Sequence, residues 1–121
     1  MGHANNGVQL SYLDVARMDY FQQVYGQVID WNDSALIVAH LEIDYISSIT
    51  LSDKIEVHTK IHRIGTKSVG LYQNIVDTVS GEIKTKTSQV MVGYSQKLGE
   101  SIPVPETLKI RIREFENEVV G

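Results

Sequence analysis

The chain has 121 residues, 42% of them hydrophobic and 21% charged, with 11 Lys and Arg against 15 Asp and Glu for a net charge of −4. That length suits one folded domain with a core of its own, and the acidic balance excludes a nucleic-acid binder held by a basic face. Cysteine is absent, which excludes disulfide scaffolds, thiolate zinc sites and thiol nucleophiles.

No apolar run reaches the roughly 18 residues of a membrane span. The opening residues, Met1-Gly2-His3-Ala4-Asn5-Asn6, lack the apolar core of a signal peptide. The expected compartment is the cytoplasm, with no membrane insertion. The first element predicted is a helix from Gly7 to about Tyr25: Val8, Tyr12, Val15 and Ala16 recur at helical spacing, joined by Leu13, Tyr20, Phe21 and Val24. Asn6 is placed to cap it, with Gln9 three residues on as in a capping box, and Gly26 supplies the stop. So wide an apolar face predicts a helix covered on several sides.

After the turn-rich Asp30-Trp31-Asn32-Asp33-Ser34 the period changes to two. Ala35, Ile37, Ala39, Leu41, Ile43 and Tyr45 alternate with a mixed set, and Ile55, Val57, Thr59 and Ile61 alternate with Glu56, His58, Lys60 and His62. Gly65-Thr66-Lys67 turns into a strand over Ser68 to Thr78, on which Leu71, Gln73 and Ile75 face one way. Ser80-Gly81 turns into another over Lys84 to Tyr94, with Val90-Met91-Val92 expected to be buried on both sides. Pro105 opens a charged last helix, Glu106 to Glu118. One helix, four hairpin-connected strands and a short helix predict an α+β domain, an antiparallel sheet wrapped around the first helix.

Gly2-His3-Ala4-Asn5-Asn6, followed by Tyr12-Leu13-Asp14-Val15-Ala16-Arg17 and Tyr20-Phe21, resembles the hotdog-fold acyl-CoA thioesterases of the 4-hydroxybenzoyl-CoA thioesterase type. In that family a Gly-His-x-Asn-Asn turn opens the central helix and Glu-x-Ala-Arg follows two turns along. The likeness continues through Asp53-Lys54-Ile55-Glu56-Val57, where Ser52 replaces the usual Gly and Ser48 the usual Pro. It runs on through Ile64-Gly65-Thr66-Lys67-Ser68 and Ile102-Pro103-Val104-Pro105-Glu106. The family motif begins Asp-x-x-Gly-His, which puts its nucleophilic or basic Asp two places before Met1. The expectation is that residue 1 is internal to the motif, with that Asp and a first strand upstream.

The resemblance implies a hotdog fold and an acyl-CoA thioester hydrolase that releases coenzyme A and a carboxylic acid, with no cofactor and no metal. The turn fits that chemistry, because a helix start offers unpaired backbone N–H groups and a partial positive charge to a thioester oxyanion. By its place in the motif the Asn6 N–H holds the carbonyl oxygen, with Gly2 and Asn5 of the same turn as substrate-binding residues. His3 polarises the carbonyl, shuttles a proton or fixes the loop. Asp14 either orients a water or pairs with Arg17 at i, i+3. Ser68 is expected near the helix cap, and Arg63 and Lys67 are candidates for the coenzyme A phosphates. Tyr12, Tyr20, Tyr72 and Tyr94 are candidates for the acyl pocket. Two other readings stand beside hydrolysis: a catalytically silent acyl-thioester-binding module, and a hotdog hydratase or dehydratase.

His58 and His62 sit about 13 Å apart on a strand, too far to share a metal ion. The open edge offered by Ile55 to Ile61, with no proline or bulge signal, predicts a homo-oligomer, a dimer or tetramer joined edge to edge. His3→Ala is expected to lower turnover on the order of 10²-fold while moving the melting temperature little. Near-normal turnover with a melting point several degrees lower assigns His3 to the loop's structure instead.

Overall fold

The computed structural model describes residues 6–25, 34–50, 52–116 and 118–120. Gly2, His3, Asn5, the Gly26 stop and the turn over residues 30–33 lie outside them. The elements run α1 (Asn6–Tyr25), β1 (Ser34–Tyr45), β2 (Ile55–Ile64), β3 (Ser68–Asp77), β4 (Ile83–Ser95), β5 (Glu100–Ile102) and α2 (Glu106–Phe115). The four long strands form an antiparallel sheet in the order β1-β4-β3-β2. The short β5, unmarked by the sequence pattern, pairs with β4 at Gly93 to Ser95, beyond the point where β3 begins. A Cβ on Gly93 would come within 2.5 Å of the Ile102 carbonyl oxygen, so only glycine lets β5 close on β4.

Alternation decides which face of the sheet is covered. Val69, Leu71, Gln73 and Ile75 of β3 and Thr85, Thr87, Gln89 and Met91 of β4 are buried on the face that receives α1. Tyr72, Lys86 and Val90 are exposed on the other. Val90-Met91-Val92 is therefore buried on one side only: Met91 faces the helix and Val90 faces out. The apolar core joins Tyr20, Phe21 and Val24 of α1 to Ile61, Ile64, Val69, Leu71 and Met91 of the sheet and to Leu108 and Ile112 of α2. Each such side chain contributes about 1.5–3 kcal/mol on full burial.

α1 lies on one face of the sheet, and the cover expected on several sides is not seen among the described residues. Val15 and Met18 are 68% and 64% exposed, and Val8 and Leu10 are exposed as well. The stripe that goes down is Gln9, Leu13, Tyr20, Phe21 and Val24.

α2 ends at Phe115, before the expected Glu118, because the chain turns back onto β2. The Ile64 N–H donates to the Val120 carbonyl (2.9 Å) and the Val120 N–H to that of His62 (3.1 Å). The Glu116 carboxylate accepts from the Tyr20 hydroxyl (2.8 Å) and the Ile61 N–H (3.1 Å), so one side chain ties α1, β2 and the end of α2 together. Burial, reinforced by the Glu116 hydrogen bond and charge, pushes the Tyr20 phenol above its ordinary value of 10.0.

Glu116→Ala is expected to destabilise the fold by about 1–3 kcal/mol, because two inward donors lose their acceptor. Chemical denaturation measures it. A phenol kept protonated by the fold contributes stability that is complete below pH 10 and lost as the pH rises above it. Tyr20→Phe should therefore flatten the fall in melting temperature between about pH 9 and about pH 11.

Candidate functional site

Asn6 and Asp14, two of the expected site residues, lie on α1, whose seat on the sheet sets where they stand. The Thr85 hydroxyl donates to Gln9 Oε1 at 2.7 Å, so Gln9, expected to turn back on the first helical turn, is buried against β4. One turn on, Leu13 packs with Ile49 and Ile75. These contacts place the start of α1 over the end of the sheet where β3 leaves and β4 enters. There the loop from β1 to β2 crosses over. It is fastened by Ile46 and Ser47 N–H groups donating to the Lys84 carbonyl (2.9 and 3.1 Å) and by the Thr78 N–H donating to that of Lys54 (2.7 Å). The buried Lys84 ammonium adds Glu82 at 3.4 Å and Asp53 at 3.8 Å.

Asn6 opens α1, and the first-turn N–H groups of any helix have no partner inside it. Asp14 stands two turns along, two-thirds exposed, and its carboxylate pairs with Arg17. The helical rise puts it about 12 Å beyond Asn6. Its direction follows from its neighbours. Leu13 points at the sheet and Tyr12 lines the groove beside β2, so Asp14, a further 100° round, lies on the flank toward β1. Leu10 and Met18 share that flank, both exposed.

Beneath Asp14 lies a polar layer. Arg17 Nη1 donates to Gln73 Oε1 (3.1 Å) and Gln89 Oε1 (2.9 Å). Gln73 Nε2 donates to the Leu13 carbonyl (3.2 Å) and to Thr59 Oγ1 (3.0 Å). Gln89 Nε2 donates to Gln73 Oε1 and Thr87 Oγ1, both at 2.8 Å. Burial lowers the Arg17 guanidinium from its ordinary value, with the Asp14 charge opposing that shift.

Arg63, Lys67 and Ser68 are at the other end of the sheet. Ser68 pairs with Val92 and its carbonyl accepts from the Gly65 N–H (2.7 Å), whereas the start of α1 is level with Ile75 and Thr85. Seven residues of strand separate the two levels, about 23 Å. Ser68 is thus not near the helix cap within one chain, and Arg63 and Lys67 are exposed at that far end.

Of the four tyrosines, Tyr20 is core and Tyr72 stacks on His62 on the outer face, ring centres 3.8 Å apart. Tyr12 lines a mainly apolar groove of about 620 Å³ with Val15, Ala16, Ile55 and Val57, which Ser11 and Asp19 complete. The polar layer was missed in sequence, although Gln73, placed on one face between Leu71 and Ile75, was its visible signal.

A family model for the thioesterase superfamily matches residues 1–84. A crystal structure of a thioesterase complexed with coenzyme A and Zn from Thermus thermophilus is 32% identical, with a TM-score of 0.81, over 97% of this chain and 84% of that one. A predicted thioesterase from Bacillus stearothermophilus is 24% identical (TM-score 0.77; 93% and 83% covered). A thioesterase superfamily protein from Jannaschia sp. CCS1 is 22% identical (TM-score 0.77; 93% and 81% covered). At their levels of identity these last two show the fold alone. No curated protein compared with the chain matches it. Among the described residues no three His, Asp or Glu side chains gather to hold an ion. The fold is the expected hotdog arrangement of antiparallel sheet and helix. With the family model spanning its first 84 residues and a solved thioesterase matching nearly its whole length, the chain belongs to the thioesterase superfamily.

Proposed function

We propose that the chain hydrolyses acyl-CoA thioesters, and that the observation carrying this reading is its likeness to the Thermus thioesterase, whose structure holds coenzyme A. Water adds to the thioester carbonyl, the tetrahedral oxyanion collapses, the carbon–sulfur bond breaks, and the coenzyme A thiolate leaves and takes up a proton. The Asn6 N–H at the start of α1 would hold the oxyanion, where the helix dipole favours negative charge. Gly2 and Asn5 would bind the substrate beside it, and His3 would act on the carbonyl or the departing thiolate. The apolar groove between Tyr12 and Val57 suits an acyl group better than a sugar or a nucleotide.

The distances favour a site shared between two copies. Within one chain Asp14 is about 12 Å along the helix from Asn6, too far for both to act on one carbonyl carbon. Its flank faces the β1 side of the sheet, where the twelve-residue β1 has a neighbour on one edge only among the described residues. On the edge expected to pair, Ile55 to Ile61, the last residue is already engaged: the Ile61 N–H donates to Glu116, and Val120 takes the next N–H and carbonyl along, those of Ile64 and His62. Antiparallel pairing of two β1 strands about a two-fold axis would lay the α1 helices side by side in opposite directions, Asp14 flanks inward. It would also turn the partner's Arg63, Lys67 and Ser68 end toward this chain's helix start. Asp14 would then orient the attacking water in the neighbouring site.

A screen of short, long and aromatic acyl-CoAs with a thiol-detecting reagent should show coenzyme A release from at least one class. Silence across all chain lengths, with coenzyme A still bound, would establish a binding module instead. Light scattering at micromolar concentration should give a dimer or a tetramer. A single-chain mass with activity retained contradicts the shared site.

A further inference from the structure

We infer that Gln73 and Gln89 are positioning residues, which act through Arg17 to hold the Asp14 carboxylate in its working direction. The inference rests on the proposed role of Asp14. Both glutamines are essentially fully buried, at 0% and 1% exposure, in the middle of the sheet. A side-chain amide can present either its oxygen or its nitrogen, and here the surroundings leave one choice. Gln73 Nε2 is committed to the Leu13 carbonyl and Thr59 Oγ1, and Gln89 Nε2 to Thr87 Oγ1 and Gln73 Oε1. Both oxygens must therefore face Arg17, and Nη1 donates to the pair of them.

A guanidinium is a rigid planar fork, so fixing Nη1 from below also fixes where Nη2 points, and Nη2 meets Asp14. An exposed ion pair ordinarily holds its partners weakly, because two long side chains must give up their freedom to form it. In this pair Arg17 is already immobilised by the sheet, so Asp14 alone is left to be ordered. Filling the space does not require this arrangement, since methionine at either position would occupy a similar volume without an acceptor.

The test is a set of double-mutant cycles on the full-length, oligomeric protein, reading kcat, KM and melting temperature with the best acyl-CoA from the screen. Asp14→Asn should lower kcat on the order of 10²-fold. Gln73→Met and Gln89→Met should each lower kcat about tenfold with KM within about twofold, and should lower it no further when Asp14→Asn is already present. Arg17→Lys, which keeps a cation against Gln73 and Gln89 but loses the planar fork that reaches Asp14, must follow the same pattern, which keeps the test open should a glutamine variant fail to fold. Glutamine losses that persist in full on top of Asp14→Asn would mean that the residues only seat the helix, overturning the inference while leaving the role of Asp14 intact. An Asp14→Asn variant with undiminished kcat removes that role, and the inference with it.

Discussion

A half-buried guanidinium needs acceptors, and the contact that the rest of this structure depends on is the one that supplies them, Arg17 on Gln73 and Gln89. An unpaired cation at that depth would cost several kcal/mol, so α1 is held to the rotation and register that bring Arg17 over the two glutamines. The same layer reaches the helix backbone itself through the Leu13 carbonyl, and one turn nearer the start Gln9 repeats the arrangement with Thr85. Apolar packing alone would fix α1 less well. Val8, Val15 and Met18 offer a second oily flank, and a purely hydrophobic seat could turn toward it. Satisfied polar groups between helix and sheet discriminate between such alternatives more sharply than methyl groups do.

Much of the fold was legible because its signals are local. The period of 3.6 gave α1 to within a residue, and period-two runs gave four strands close to their observed limits. The turns at Gly65-Thr66-Lys67 and Ser80-Gly81 fall where hairpins are observed. What was not legible depends on which residues meet across space. Val8 and Val15 look like core and stand outside, whereas Gln9 and Arg17 look like surface and lie against the sheet. A three-residue strand such as β5 has too short a pattern to announce itself, and its place is set by Gly93.

The candidate site divides along the same line. The Asp14–Arg17 pair could be read from a spacing of three on a helix, and the structure forms it. The position of Ser68 could not, because it follows from strand register. Being opposite Val92 carries it about 23 Å from the helix start. The residues gathered by resemblance thus belong to two ends of one sheet. A second copy related by a two-fold axis would bring unlike ends together, as the proposed shared site requires.

The polar layer, on this reading, is what holds α1 to the sheet. Amide hydrogen exchange on the intact protein and on a chain carrying both Gln73→Met and Gln89→Met tests this most directly. If the layer fixes the helix, amides from Leu13 to Arg17 should exchange on the order of tenfold faster in the variant, while those of β3 and β4 keep their protection. Unchanged protection along α1, or an equal loss in helix and sheet, would contradict it.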